Sequence, residues 1–175
     1  MDESMRQVRA VLSTTPARWA SLTETIPAEL LERVPLPGEW SALDCLRHMV
    51  DVEEQVFPAR VRRILQGREF DPYDRDALGS RVGRDEPIVL ASRLAAGRHA
   101  SLALVDGLTP ADLPKRARHP SLGVVTMEEL LHEWAGHDLQ HTVQAERAML
   151  QPFIAGSGPW RSYFAGLEAE IEPQG

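Results

Sequence analysis

The residues best suited to do chemistry are His137 and His141, within a stretch from Thr126 to Met149 that opens TMEELLHEWAGHDLQH. At about 100° of rotation per helical residue, both fall on one face with Leu130, Trp134, Ala145 and Ala148. The imidazoles therefore point inward on an apolar stripe, one turn apart. Side chains at i and i+4 lie about 6 Å from each other, which suits two nitrogen ligands of one transition metal. It also suits two histidines held by core packing, and the pair alone does not separate these readings.

His132-Glu133 resembles the start of the HExxH zinc-protease motif, but the next histidine is five residues on instead of four. That rotates it by roughly 140° rather than 40°, so His132 and His137 cannot share a metal on one regular helix. His132 falls on the charged face and reads as a solvated residue.

The element that positions His137 and His141 begins at Thr126, with Glu129 three residues on, the spacing of a capping box. A third histidine, His48, belongs to a second long helix predicted over residues 42–66, with Ser41 as N-cap, a bend at Pro58 and an end at Gly67. His48 shares an apolar face with Cys45, Val52, Val56 and Ala59, bordered by Asp44, Asp51 and Gln55. Glu53 and Glu54 point away from it by the same count. A carboxylate beside an imidazole can fix its tautomer, which makes Asp51 and Asp138 candidate outer partners, or they are solvated charges. Cys45, one turn before His48, either packs as a small apolar group or joins it on a metal.

Two further helices complete the set. Residues 3–26 carry Met5, Val8, Leu12, Trp19, Leu22 and Ile26 at helical spacing, with a kink or a fresh start expected at Thr15-Pro16. Residues 87–106 start at a proline, favoured at the first helical position, with Ile88, Leu94, Leu102 and Val105 facing the core. The connection at residues 27–40 is turn-rich with one short helical turn. Residues 67–86 form a crossover far longer than the ~2–8 residues that join antiparallel neighbours, and residues 107–125 form an irregular connection. The chain is expected to break at Pro152, after which Trp160–Leu167 makes a short amphipathic segment that covers a bundle end or a dimer contact. His99 and His119 read as structural or surface residues.

With that crossover the second and fourth long helices run antiparallel. At about 1.5 Å per residue, His48 lies near the depth of His137 and His141, so a three-histidine site is sterically accessible. The fold class is all-α, a four-helix bundle.

Composition narrows the function. The 175 residues carry 19 Lys and Arg against 26 Asp and Glu, a net charge of -7, and a pI near 5.4. A phosphate backbone demands clustered cations, so nucleic-acid binding is not expected; Arg60, Arg62 and Arg63 read as a solvated helix face. No apolar run approaches the ~18 residues of a membrane span. The acidic, polar N-terminus and the single cysteine, which excludes an internal disulfide, fit the reducing cytoplasm. One domain over residues 1–175 is the simplest division, with a core at about 5–150 and an extension at 151–175.

Trp40-Ser41, the pattern Leu46, His48, Asp51, the run Leu122-Gly123-x-x-Thr126 and His137-Asp138-x-x-His141 resemble the DinB-like superfamily of four-helix-bundle metalloenzymes. The resemblance covers about residues 5–150. It implies an up-down-down-up bundle, often a homodimer, with metal ligands His48, His137 and His141. It implies a divalent transition metal, zinc or nickel favoured by an all-nitrogen site, with iron and manganese also compatible. Relatives of this kind include thiol-dependent transferases and mycothiol-dependent maleylpyruvate isomerases, so the partner expected is a small molecule, a low-molecular-weight thiol among the options. Two enzyme classes then stand side by side, S-transfer from such a thiol and metal-assisted hydrolysis, against a bundle that binds its metal without catalysis. Cys45 as a fourth ligand would favour the last.

Overall fold

Ser41 and Thr126 each start a helix that carries part of the histidine set, and both do so through a complete capping box. The Ser41 hydroxyl accepts from the Asp44 backbone N–H at 3.1 Å, while the Ser41 N–H donates to the Asp44 carboxylate at 3.1 Å. Thr126 and Glu129 repeat this at 3.2 and 2.7 Å. Each box satisfies N–H groups that the first turn leaves without helical partners.

The computed structural model describes residues 3–72 and 85–169. Its helices are α1 (Glu3–Thr25), the single turn α2 (Ala28–Leu31), α3 (Ala42–Gln55), α4 (Phe57–Leu65), α5 (Pro87–Asp106) and α6 (Met127–Gly156). Strands β1 (Arg116–His119) and β2 (Gly123–Thr126) form an antiparallel hairpin before α6, and a 3-10 segment, Gly158–Phe164, follows it. Most of the crossover, residues 73–84, lies outside the described residues.

In the bundle, α1 and α3 each pack against both α5 and α6. One apolar cluster gathers the start of α1 (Met5, Val8, Leu12), the end of α3 (Val52), the partly buried end of α5 (Leu102, Val105) and the start of α6 (Leu130, Trp134). A second gathers Trp19 from α1, Leu43 and Leu46 from α3, Leu90 and Leu94 from α5, and Ala145 and Met149 from α6. So α1 and α6 run one way and α3 and α5 the other. Between the clusters each long helix places buried polar groups: Thr15, His48 and Glu53, Arg98 and Ser101, Asp138, His141 and Thr142.

Several expectations need correction. Pro16 lies within an unbroken α1, so no fresh helix starts there. Pro152 likewise sits inside α6, which continues to Gly156. The second long helix divides at Val56, and Pro58 takes an early position in α4, where its missing N–H costs no helical bond. Gly67, with φ +66°, does end α4; the Arg68 N–H reaches back to the Arg63 carbonyl at 2.9 Å, the Schellman closure. The connection expected to be irregular contains the hairpin. Ile88 is 45% exposed, whereas Leu94 is buried as expected and Leu90 and Ala91 join it in the core. Finally, α5 is long and apolar enough to qualify as a membrane span by length and composition. It is nevertheless a bundle helix, packed on α1 and α3 and burying Arg98 in ion pairs.

Candidate metal centre

Helix α3 presents His48 and α6 presents His137 and His141 at one level of the bundle. The Nε2 atoms of His48 and His137 are 3.0 Å apart. Ring centroids lie 5.0 Å apart for His48 and His137, 4.7 Å for His48 and His141, and 4.4 Å for His137 and His141. One ligand atom from each ring lies within 4.8 Å of the others. A cation about 2.0–2.1 Å from each nitrogen requires separations of roughly 3.0–3.5 Å, so small ring rotations complete a coordination triangle. Among the described residues no cysteine or carboxylate joins this group.

Aromatic walls set the ring orientations. Trp40 stacks on His141 at 5.6 Å and 16° and meets His48 edge-on at 5.1 Å. On the other side Phe57, the first residue of α4, meets His137 edge-on at 5.3 Å and stacks on Trp134 at 5.0 Å and 7°. The Gln144 amide oxygen lies 2.9 Å from His141 Nδ1. An amide oxygen only accepts, so with this amide orientation the contact assigns the His141 proton to Nδ1. Gln144 was missed in the sequence, although a Gln three residues after a helical His is a readable signal.

The other candidates separate. Cys45 is fully buried in the apolar cluster with Trp19 and Met49, and burial pushes its thiol up to about 12. Asp51 is half-buried, its Oδ2 without a hydrogen-bond partner among the described residues, and burial followed by Glu54 raises its carboxyl. The Asp138 carboxylate turns to Arg98 instead of an imidazole. His132 is exposed, as its helical phase predicts, and its Nε2 lies 2.7 Å from the Ser4 hydroxyl. His99 is exposed, and His119 Nδ1 accepts from the Ser121 and Leu122 N–H groups in the hairpin loop.

Glu53 lies where the helical count places it, and its surroundings have consequences. It does point away from His48, but α5 covers that side, so its carboxylate is buried and paired with Arg98. The Arg98 guanidinium also meets Asp138 and the Leu12 carbonyl. Burial opposes its charge, yet the bonds and charges of Asp138 and Glu53 outweigh it and raise its pKa.

Two cavities reach the histidines. One of about 510 Å³ is lined by Trp40, His137, Gln140, His141, Gln144 and Arg147 among others. The second, about 290 Å³, has His48, Val52, Phe57, Arg60, His119 and His137 in its wall. His137 and Glu133, one turn before it, border both.

Residues 12–145 match the family described as the DinB superfamily. The fold is similar to that of YfiT from Bacillus subtilis, a probable metal-dependent hydrolase with an unusual four-helix bundle topology; the TM-score is 0.74 at 20% identity, over 85% of this chain and 87% of that one. At that identity the likeness speaks for the fold. No curated protein matches the chain.

Proposed function

This chain belongs to the DinB superfamily, and on that footing we propose that it is a metal-dependent enzyme acting on a small molecule, with His48, His137 and His141 holding one divalent cation. The observation that carries the reading is an open set of three imidazoles: no fourth protein ligand is present among the described residues, and a cavity of about 510 Å³ reaches two of the rings. Structural zinc sites usually close with four protein ligands, whereas catalytic ones keep a position open. Zinc or nickel suits three nitrogens, and iron or manganese is compatible.

A cation held there would supply a Lewis acid able to activate water or a thiol near neutral pH. The chain's own residues supply the rest. Trp40 and Phe57 keep the imidazoles in their facing orientations, and Gln144 holds the His141 ring through its Nδ1. Glu133 borders both cavities and is the carboxylate best placed to take a proton from the attacking water or thiol and return it to the leaving group.

Hydrolysis is the leading reaction class, as for the structurally similar YfiT. Thiol-dependent transfer is the second, favoured by the second cavity of about 290 Å³ beside His137, which offers room for a second reactant. The deciding experiment incubates metal-loaded protein with ester and amide substrates, and separately with low-molecular-weight thiols plus electrophiles. Thiol-independent cleavage lost in His141→Ala supports the hydrolase, and thiol-dependent turnover lost in the same variant supports the transferase. Silence in both panels moves the reading to a non-catalytic metal-binding bundle.

A further inference from the structure

The buried polar layer contains a group that neither imidazole chemistry nor the cavities account for. Arg98 is 1% exposed at the centre of α5, and all five of its N–H donors are engaged. Nε and Nη2 donate to Glu53 Oε2 at 3.0 and 2.8 Å. Nη1 donates to Asp138 Oδ2 at 2.6 Å and Nη2 to Asp138 Oδ1 at 3.0 Å. The second hydrogen of Nη1 goes to the Leu12 carbonyl at 2.7 Å. One guanidinium thus ties α5 to α3, α6 and α1 at a single level.

Two details of sequence make this possible. Leu12 would ordinarily give its carbonyl to the N–H of residue 16, four positions on. Residue 16 is proline, with no N–H, and Arg98 takes the place of the missing donor. Gly97 makes the room: a Cβ there would lie 3.0 Å from Glu53 Cγ.

We infer that Arg98, through Glu53 and Asp138, is a positioning residue for the three histidines, holding α3 and α6 at the separation that brings His48 to His137 and His141. Its two carboxylate partners stand on the two helices that carry the imidazoles. Asp138 is the residue after His137, and Glu53 lies about one and a half turns beyond His48. A second line of contact runs through the rings: the Arg98 guanidinium carbon lies 5.5 Å from the Trp134 ring centre, Trp134 stacks on Phe57, and Phe57 meets His137. Stability alone is a poor reason to keep such a cluster. Burying three charges is opposed by desolvation, and apolar residues of equal volume often do as well. What apolar packing lacks is a fixed set of donor directions linking particular helices, and a coordination triangle is sensitive to shifts well under an ångström.

The inference rests on the metal-site reading for its consequence but not for its geometry, so the test has two readouts. The protein and its R98K, E53Q and Leu31→Ala variants are titrated with cobalt(II), followed by visible absorption. In metal-free samples, cross-peaks between the His48 and His137 ring protons are measured by NMR. Lysine keeps the charge of Arg98 but cannot make its forked contacts. Leu31→Ala is a core control in α2, outside the network. Folded R98K should bind cobalt about 10–100-fold more weakly, the usual cost of removing an outer partner, and lose the ring cross-peaks. Leu31→Ala should melt lower yet bind as the parent does. If R98K does not fold, E53Q, which changes one atom, decides by the same criteria. Parental affinity and cross-peaks in the deciding variant overturn the inference, as does an equal loss of affinity in Leu31→Ala. A parent protein that binds no cobalt defeats the metal reading, and the cross-peaks then decide the positioning role on their own.

Discussion

His137 is the residue on which the site's contacts converge. It meets His48 through Nε2, Phe57 through its ring edge, and both cavities through its exposed side. Its replacement tests the ligand assignment at the residue scale. Purified protein should contain about one divalent metal per chain by elemental analysis, His137→Ala should contain almost none, and His132→Ala should match the parent; metal lost from His132→Ala would contradict the helical phase. Glu133 separates binding from chemistry. Positioned acid–base groups contribute about 10²–10⁴-fold, so Glu133→Gln should retain its metal while turnover falls by roughly that factor; undiminished turnover would remove Glu133 from the mechanism. The inward phase of His137 and His141 was legible because it depends only on helical rotation. The role of Glu53 was not. Counting angles from His48 placed it correctly on another face, but rotation alone cannot say that α5 covers that face.

Among the elements, helix starts were the most legible features, since a capping box closes within four residues. Thr126→Ala should cost about 1 kcal/mol, or roughly 2–4 °C in melting temperature for a chain of this size. The box is also pH-dependent. The Thr126 backbone N–H, then its hydroxyl, hold the Glu129 carboxyl below its usual value. A depressed folded pKa means the charged form is favoured in the fold. The contribution is therefore complete above the unfolded value, about 4.3 for Glu, and disappears as pH falls through the folded one. Melting curves of the parent and Glu129→Gln should differ at pH 7 and converge on acidification; a gap that persists at low pH would show that charge is not its source. Helix ends and kinks were harder to read. Proline at position 16 leaves the Leu12 carbonyl without its helical donor, and Arg98, 86 residues away, supplies one.

For the whole molecule, a ligand that binds only the folded state stabilises it by mass action, about 2.7 kcal/mol at one hundred times its dissociation constant. Saturating zinc or nickel should therefore raise the melting temperature by roughly 5–10 °C, with no shift in His137→Ala. An equal rise in that variant would place the stabilising site elsewhere. The sequence by itself determined what is local: the starts of α3 and α6, the apolar faces, the shared face of His137 and His141, the four-helix class, and, through its motif pattern, the family. These follow from rotation per residue and from caps that close within one turn. The tertiary structure alone decided that His48 meets His137 across 89 residues of chain. It also decided that Cys45 belongs to a separate apolar cluster, that Trp40 and Phe57 wall the imidazoles, and that Arg98 gathers three helices. Those outcomes depend on which helix covers which face and at what depth, and the spacing of residues along one helix carries no record of either.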